Sequence, residues 1–199
     1  MRSDHRARSV ARRLVVAVAF AASLAVAGRA DAQTWGVKGG LNLANIDFQD
    51  LKTSAKSSAV AGAFFRLRLL GIPLQIEGLF AQRRISFEDN IRDDLNFFEL
   101  PVLARYRIAT GRGGQAVHVL GGGVLGARLS AHEVINDQSE DIKELYKPIE
   151  FGLAVGGEVA LTRHWLVDAR YVFGLTNAYD DPNFEAKFRT FQLTVGYGW

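Results

Sequence analysis

After residue 33, apolar and polar residues alternate with period 2 along nearly the whole chain. That period belongs to β-strands, whose successive side chains point to opposite faces. Residues 35–43 place Trp35, Val37, Gly39, Leu41 and Leu43 on one face, with Lys38, Gly40 and Asn42 on the other. Residues 59–69 set Ala59, Ala61, Ala63, Phe65, Leu67 and Leu69 against Gly62, Phe64, Arg66 and Arg68. Residues 96–108 set Phe98, Leu100, Val102, Ala104, Tyr106 and Ile108 against Glu99, Arg105 and Arg107. Residues 188–199 set Phe191, Leu193, Val195, Tyr197 and Trp199 against Thr190, Gln192, Thr194, Gly196 and Gly198. No helical period of comparable length competes, so an all-β chain is expected.

Eight segments carry the pattern: 35–44, 59–69, 74–83, 96–108, 116–130, 149–160, 165–175 and 188–199, each of 10 to 15 residues. Soluble strands average about 5–6 residues, whereas tilted strands crossing a bilayer need about 9–11. The connections alternate as well. Segments 45–58, 84–95, 131–148 and 176–187 hold 14, 12, 18 and 12 residues, and 70–73, 109–115 and 161–164 hold 4, 7 and 4. This predicts an eight-stranded antiparallel up-and-down transmembrane β-barrel, with long loops outside and tight turns in the periplasm. The short links carry turn chemistry in Gly71-Ile72-Pro73 and in Gly111-Arg112-Gly113-Gly114. The longest link is polar and charged over residues 132–147.

Aromatic positions fit the same layout. Trp35, Tyr106, Trp165, Tyr197 and Trp199 fall at the periplasmic ends of their segments on the outward parity, as an interfacial girdle requires. The alternating Phe191, Leu193, Val195, Tyr197 and Trp199 also resemble the C-terminal signal read by the outer-membrane barrel-assembly machinery, a partner expected during insertion.

The opposite face carries Lys38, Arg66, Arg68, Glu77, Arg83, Glu99, Arg105, Arg107, Arg128, Glu150, Glu158, Asp168 and Arg170. In lipid these charges must lie inside and be paired; in a soluble lipocalin-like barrel they would face water instead. Strand length, loop alternation and the Trp rim favour lipid. If residues 70–73 form the first tight turn, Leu69 lies opposite Leu74 and Arg66 opposite Glu77. Glu158 and Asp168 share the inner face near the 161–164 turn and need an Arg that spacing alone does not identify.

The first 32 residues read as a cleaved signal peptide. Arg2, Arg6, Arg8, Arg12 and Arg13 precede the apolar run at 14–27, and Ala30-Asp31-Ala32 offers a small-x-small site. The run is 14 residues long, short of the ~20 a spanning helix needs. Removing the leader takes away six Arg and two Asp, leaving 18 basic and 19 acidic residues. The net charge of +3 on the full chain thus belongs to the leader, and nucleic acid is not an expected partner. The domain expectation is signal peptide 1–32 and barrel 33–199.

Chemistry is sparse. With no Cys there is no disulfide framework, redox CxxC or thiolate metal site. His118, His132 and His164 share no ligand spacing, so no metal or other cofactor is expected. Ser130, His132 and Glu133 could compose a hydrolytic set, but strand parity puts Glu133 on the opposite face. Asp93-Asp94 and Asp180-Asp181 read as solvated loop acids, and Gly121-Gly122-Gly123 as a mid-strand packing site rather than a phosphate loop.

Five stretches together, GVKGGLNLANI (36–46), PLQIEGLFAQRRISF (73–87), FFELPVLARYRI (97–108), VDARYVFGLTNA (167–178) and FQLTVGYGW (191–199), resemble the PorT-like outer-membrane β-barrel family. The positions matching the family pattern are Gly36, Lys38, Gly39, Gly40, Asn42, Glu77, Glu99, Pro101, Arg105, Tyr106, Arg170, Tyr171, Gly174, Leu175, Asn177, Gly196 and Tyr197. The resemblance implies a barrel with architectural motif residues, with Pro101 marking a kink or bulge, in a family most of whose members have no assigned activity. The expected function is a monomeric outer-membrane barrel in contact with lipid, structural or interacting with an extracellular or periplasmic protein, and not an enzyme. The alternatives are a narrow anion-preferring pore (the inner charges sum to +3), a lipid-modifying enzyme and a soluble carrier.

Overall fold

A computed structural model describes residues 34–47, 54–88, 91–135, 138–141, 147–177 and 187–199. The leader, residues 178–186 and the Asp180-Asp181 pair lie outside the described residues. Among the described residues, eight antiparallel strands close on themselves: β1 (Thr34–Asp47), β2 (Ser54–Leu69), β3 (Ile72–Glu88), β4 (Ile91–Thr110), β5 (Ala116–Ile135), β7 (Ile149–Ala160), β8 (Trp165–Gly174) and β9 (Lys187–Gly198). Each pairs with its chain neighbours, β5 with β7, and β1 with β9 completes the circle. A short β6 (Gln138–Asp141) folds back onto the outer end of β5.

The alternation sorts the faces as lipid demands. Trp35, Val37, Leu41, Leu43, Leu153 and Val155 are exposed, while Lys38, Glu77, Glu99, Glu158, Asp168 and Arg170 are buried. An apolar belt around a charged interior would be untenable in water, where large exposed apolar patches are rare, and is what a bilayer needs. The soluble-barrel alternative falls on this inversion.

The interior is not only polar. Leu103, Leu120, Val124, Ala154 and Val172 form a buried apolar cluster across β4, β5, β7 and β8. Sequence reading missed these residues because in FFELPVL (97–103) both faces are apolar and alternation fades. Eight strands leave a lumen that side chains just fill, and glycine makes the tightest approaches. A Cβ on Gly40 would collide with the Leu193 carbonyl, and one on Gly122 with the Val102 carbonyl, whereas Gly123 faces open space.

Three expectations need correction. First, the turn after β2 has two residues, not four. Leu70 (φ 51°) and Gly71 (φ 84°) both have positive φ, as a type I′ hairpin turn requires. Leu69 therefore lies opposite Ile72, Arg66 opposite Gln75, and Phe64 opposite Glu77. A left-handed Leu is uncommon, so the sequence marks a turn through Gly71 but not its two-residue length. Second, much of the expected outer loop structure is paired strand. The β3–β4 ladder continues to Glu88 opposite Ile91, within the expected 84–95 loop, and β5 runs to Ile135. Past Arg83 the apolar residues Ile85 and Phe87 fall on the parity of the inner face, so the outward apolar alternation used to find strands breaks off there. Third, Pro101 marks no bulge. Register shifts in β4–β5 fall at Asn96/Phe97 and Arg107/Ala109, while Pro101 pairs in register with Val124. Its missing N–H (a proline cannot donate to a ladder) coincides with a gap in the β3–β4 ladder between Ile76↔Val102 and Leu79↔Glu99.

Candidate functional site

Ten inward-facing charges compose three groups, stacked from the tight-turn end toward the loop end. The middle group is a closed ring. Lys38 Nζ donates to Glu77 Oε1 (3.0 Å) and Asp168 Oδ2 (3.1 Å). Arg170 donates from Nη2 to Glu77 Oε2 (2.7 Å) and from Nε to Asp168 Oδ1 (3.0 Å). Gln75 adds a donor to Glu77 Oε1 at 2.6 Å. Alternation along β1, β3 and β8 points all four charges inward, and barrel closure brings together residues as far apart as 38 and 168.

The group nearer the tight turns centres on Glu158. Arg66 Nη2 reaches its Oε2 and Arg105 Nη2 its Oε1, both at 2.7 Å. Arg66 Nε also donates to Gln75 Oε1 (2.7 Å), linking this group to the ring. These are the cations that Glu158 required; those serving Asp168 are Lys38 and Arg170. The expected Arg66–Glu77 pair is replaced by Arg66–Glu158 because the shorter turn slides the register by two residues.

The group toward the loops is held by Arg83, which bridges Glu99 and Glu150 at 2.7 Å each. Its guanidinium lies over the rings of Phe97 (4.3 Å) and Phe188 (4.7 Å), a favourable arrangement for a desolvated cation. Gln192 Nε2 donates to Glu99 Oε2 at 2.9 Å. Five cations (Lys38, Arg66, Arg83, Arg105, Arg170) thus meet five carboxylates (Glu77, Glu99, Glu150, Glu158, Asp168). The excess of +3 expected for the whole inner face is not distributed along the lumen. Of the residues expected in the interior network, Arg68 and Arg107 stand apart: both are exposed near the tight turns.

Outside, Trp35 and Trp199 stack at 4.4 Å, Tyr197 meets Trp199 at 5.1 Å and Trp165 meets Tyr197 at 5.2 Å. These rings form one chain across the β1–β9 closure, while Tyr106 faces outward on β4, away from it. Phe191, Leu193 and Val195 continue the outward face of β9.

The remaining candidates gather no reactive geometry. Ser130 Oγ accepts from Asn96 Nδ2 at 2.8 Å, and the side chains of His132 and Glu133 lie outside the described residues. Asp94 pairs with Arg84 at 3.2 Å. Among the described residues no cluster of metal-ligating side chains is present.

The outer membrane protein beta-barrel domain family matches residues 31–180. The chain belongs to that family. It is an outer-membrane protein, and its closed eight-stranded barrel matches those of small barrels of that membrane. The attachment invasion locus protein Ail of Yersinia pestis superposes with a TM-score of 0.51 at 19% identity, covering 85% of this chain and 100% of that one. Neisserial surface protein A gives a TM-score of 0.53 at 11% identity, covering 84% and 98%. At these identities the likeness concerns the fold. No curated protein matches the chain in sequence.

Proposed function

We propose that this chain is a PorT-like member of its family and acts as a sealed, non-catalytic barrel. In this reading the 1–32 leader directs export, and the Phe191–Trp199 strand is read by the barrel-assembly machinery. A single copy then holds the paired outer ends of its hairpins out to a protein partner. The observation that carries the reading is the interior, where five cations and five carboxylates pair with one another beside an apolar cluster. Such an interior leaves little for ions to exchange with. The PorT-like assignment draws support from the ring itself: Lys38, Glu77 and Arg170 sit in three of the resemblance motifs and meet in space.

Planar-bilayer recording of the purified barrel tests the reading. The expected result is an unchanged baseline with no discrete steps. Reproducible anion-preferring steps would establish the pore instead.

A further inference from the structure

At the periplasmic mouth of the lumen a cavity of about 270 Å³ is lined by Arg68, Pro73, Arg105, Arg107 and His118. We propose that this basin binds a phosphate-type oxyanion presented from the periplasmic side.

Three observations converge. The first is uncompensated charge. Glu158 is the carboxylate that neutralises this end, and it is already shared by Arg66 and Arg105. Arg68 and Arg107 have no ion-pair partner among the described residues. Two guanidinium groups facing one cavity without a counter-charge repel each other, and a bound dianion relieves that repulsion.

The second is a buried donor. Arg105 Nη2 lies 3.1 Å from His118 Nδ1. A guanidinium can only donate, so Nδ1 accepts, and the ring hydrogen is on Nε2. That Nε2 is buried without a partner among the described residues, in a side chain only 2% exposed. A buried N–H rarely stays unpaired; His118 also lines the cavity, and a small rotation of its ring would bring Nε2 to an oxyanion there.

The third is shape and size. Arginine forks match phosphate oxygens bidentately. Donors arriving from β2, β4 and β5 suit a tetrahedral oxyanion better than a flat carboxylate. The volume falls just below the roughly 300–1,000 Å³ of drug-sized pockets, which limits the ligand to a small phosphorylated group. That group could come from a soluble phosphate or from an inner-leaflet phospholipid headgroup.

The test follows the ¹⁵N–¹H signals of the His118 imidazole in full-length barrel held in nanodiscs. One arm transfers the barrel to maltoside micelles, which carry no phosphate group, and titrates inorganic phosphate. The other keeps the discs and replaces part of their phosphatidylcholine with phosphatidylglycerol in phosphate-free buffer. A saturable shift in either arm supports the site and names the source. The Arg68→Ala/Arg107→Ala double variant should then bind on the order of tenfold more weakly or worse, whereas Arg112→Ala, altered in the turn outside the basin, should bind as wild type. Heat-modifiable migration checks that both variants are folded. No shift in either arm, or equal binding by the folded double variant, would overturn the proposal.

Discussion

At mid-barrel, Lys38 and Arg170 each touch two carboxylates, and every side chain of that ring is at most 1% exposed. Toward the tight turns, Arg68 and Arg107 point along the same inner face and touch none. Both regions follow from one alternation pattern, so pattern alone does not make a charge structural. What differs is depth. A buried charge must be paired or the barrel loses several kcal/mol, whereas a charge at a wet rim can stay unpaired at small cost. Deep charges therefore report on stability, and rim charges are free to serve a ligand.

The sharpest way to break this contrast is to remove one deep partner. Arg83→Met leaves Glu99 and Glu150 without their shared cation and removes the guanidinium lying over Phe97 and Phe188. We expect a loss of roughly 3–5 kcal/mol, the range for an orphaned buried charge, measured by urea unfolding in lipid vesicles. Arg66→Ala should cost less, about 1–3 kcal/mol, as a charge-assisted hydrogen bond does, because Glu158 keeps Arg105. It should still exceed Arg112→Ala; equal unfolding midpoints for the two would place Arg66 with the rim charges. Trp199→Ala removes the stack on Trp35 across the closure, with an expected loss of about 0.5–1.5 kcal/mol beyond the area it uncovers. Smallest of all, Arg68→Ala and Arg107→Ala should leave the unfolding midpoint unmoved, and a clear drop in either would erase the distinction between ring and rim.

Much of this was legible in the sequence, and the gaps have physical causes. Strand number, the lipid-facing side and the inward side of Lys38, Glu77 and Arg170 follow from a period of 2, which survives any even shift of register. The identity of each partner does not. A two-residue slip at Leu70-Gly71 kept Arg66 inside yet exchanged Glu77 for Glu158. The ring joins β1, β3 and β8, and only closure of the sheet brings those strands within reach across the lumen. The apolar cluster around Leu103 and Leu120 was hidden for another reason: where both faces are apolar, alternation carries no contrast. The extended β3–β4 ladder was hidden by a change of face, since past Arg83 the apolar Ile85 and Phe87 fall on the inner parity.

The central claim is that the deep charges act on one another as a closed ring. A double-mutant cycle on Lys38→Met and Glu77→Gln tests it most directly, read from unfolding free energies in vesicles. The account predicts that the double variant is less destabilised than the two single losses summed, with a coupling of about 0.5–3 kcal/mol, as for residues in one ion-pair network. Simple additivity would contradict it.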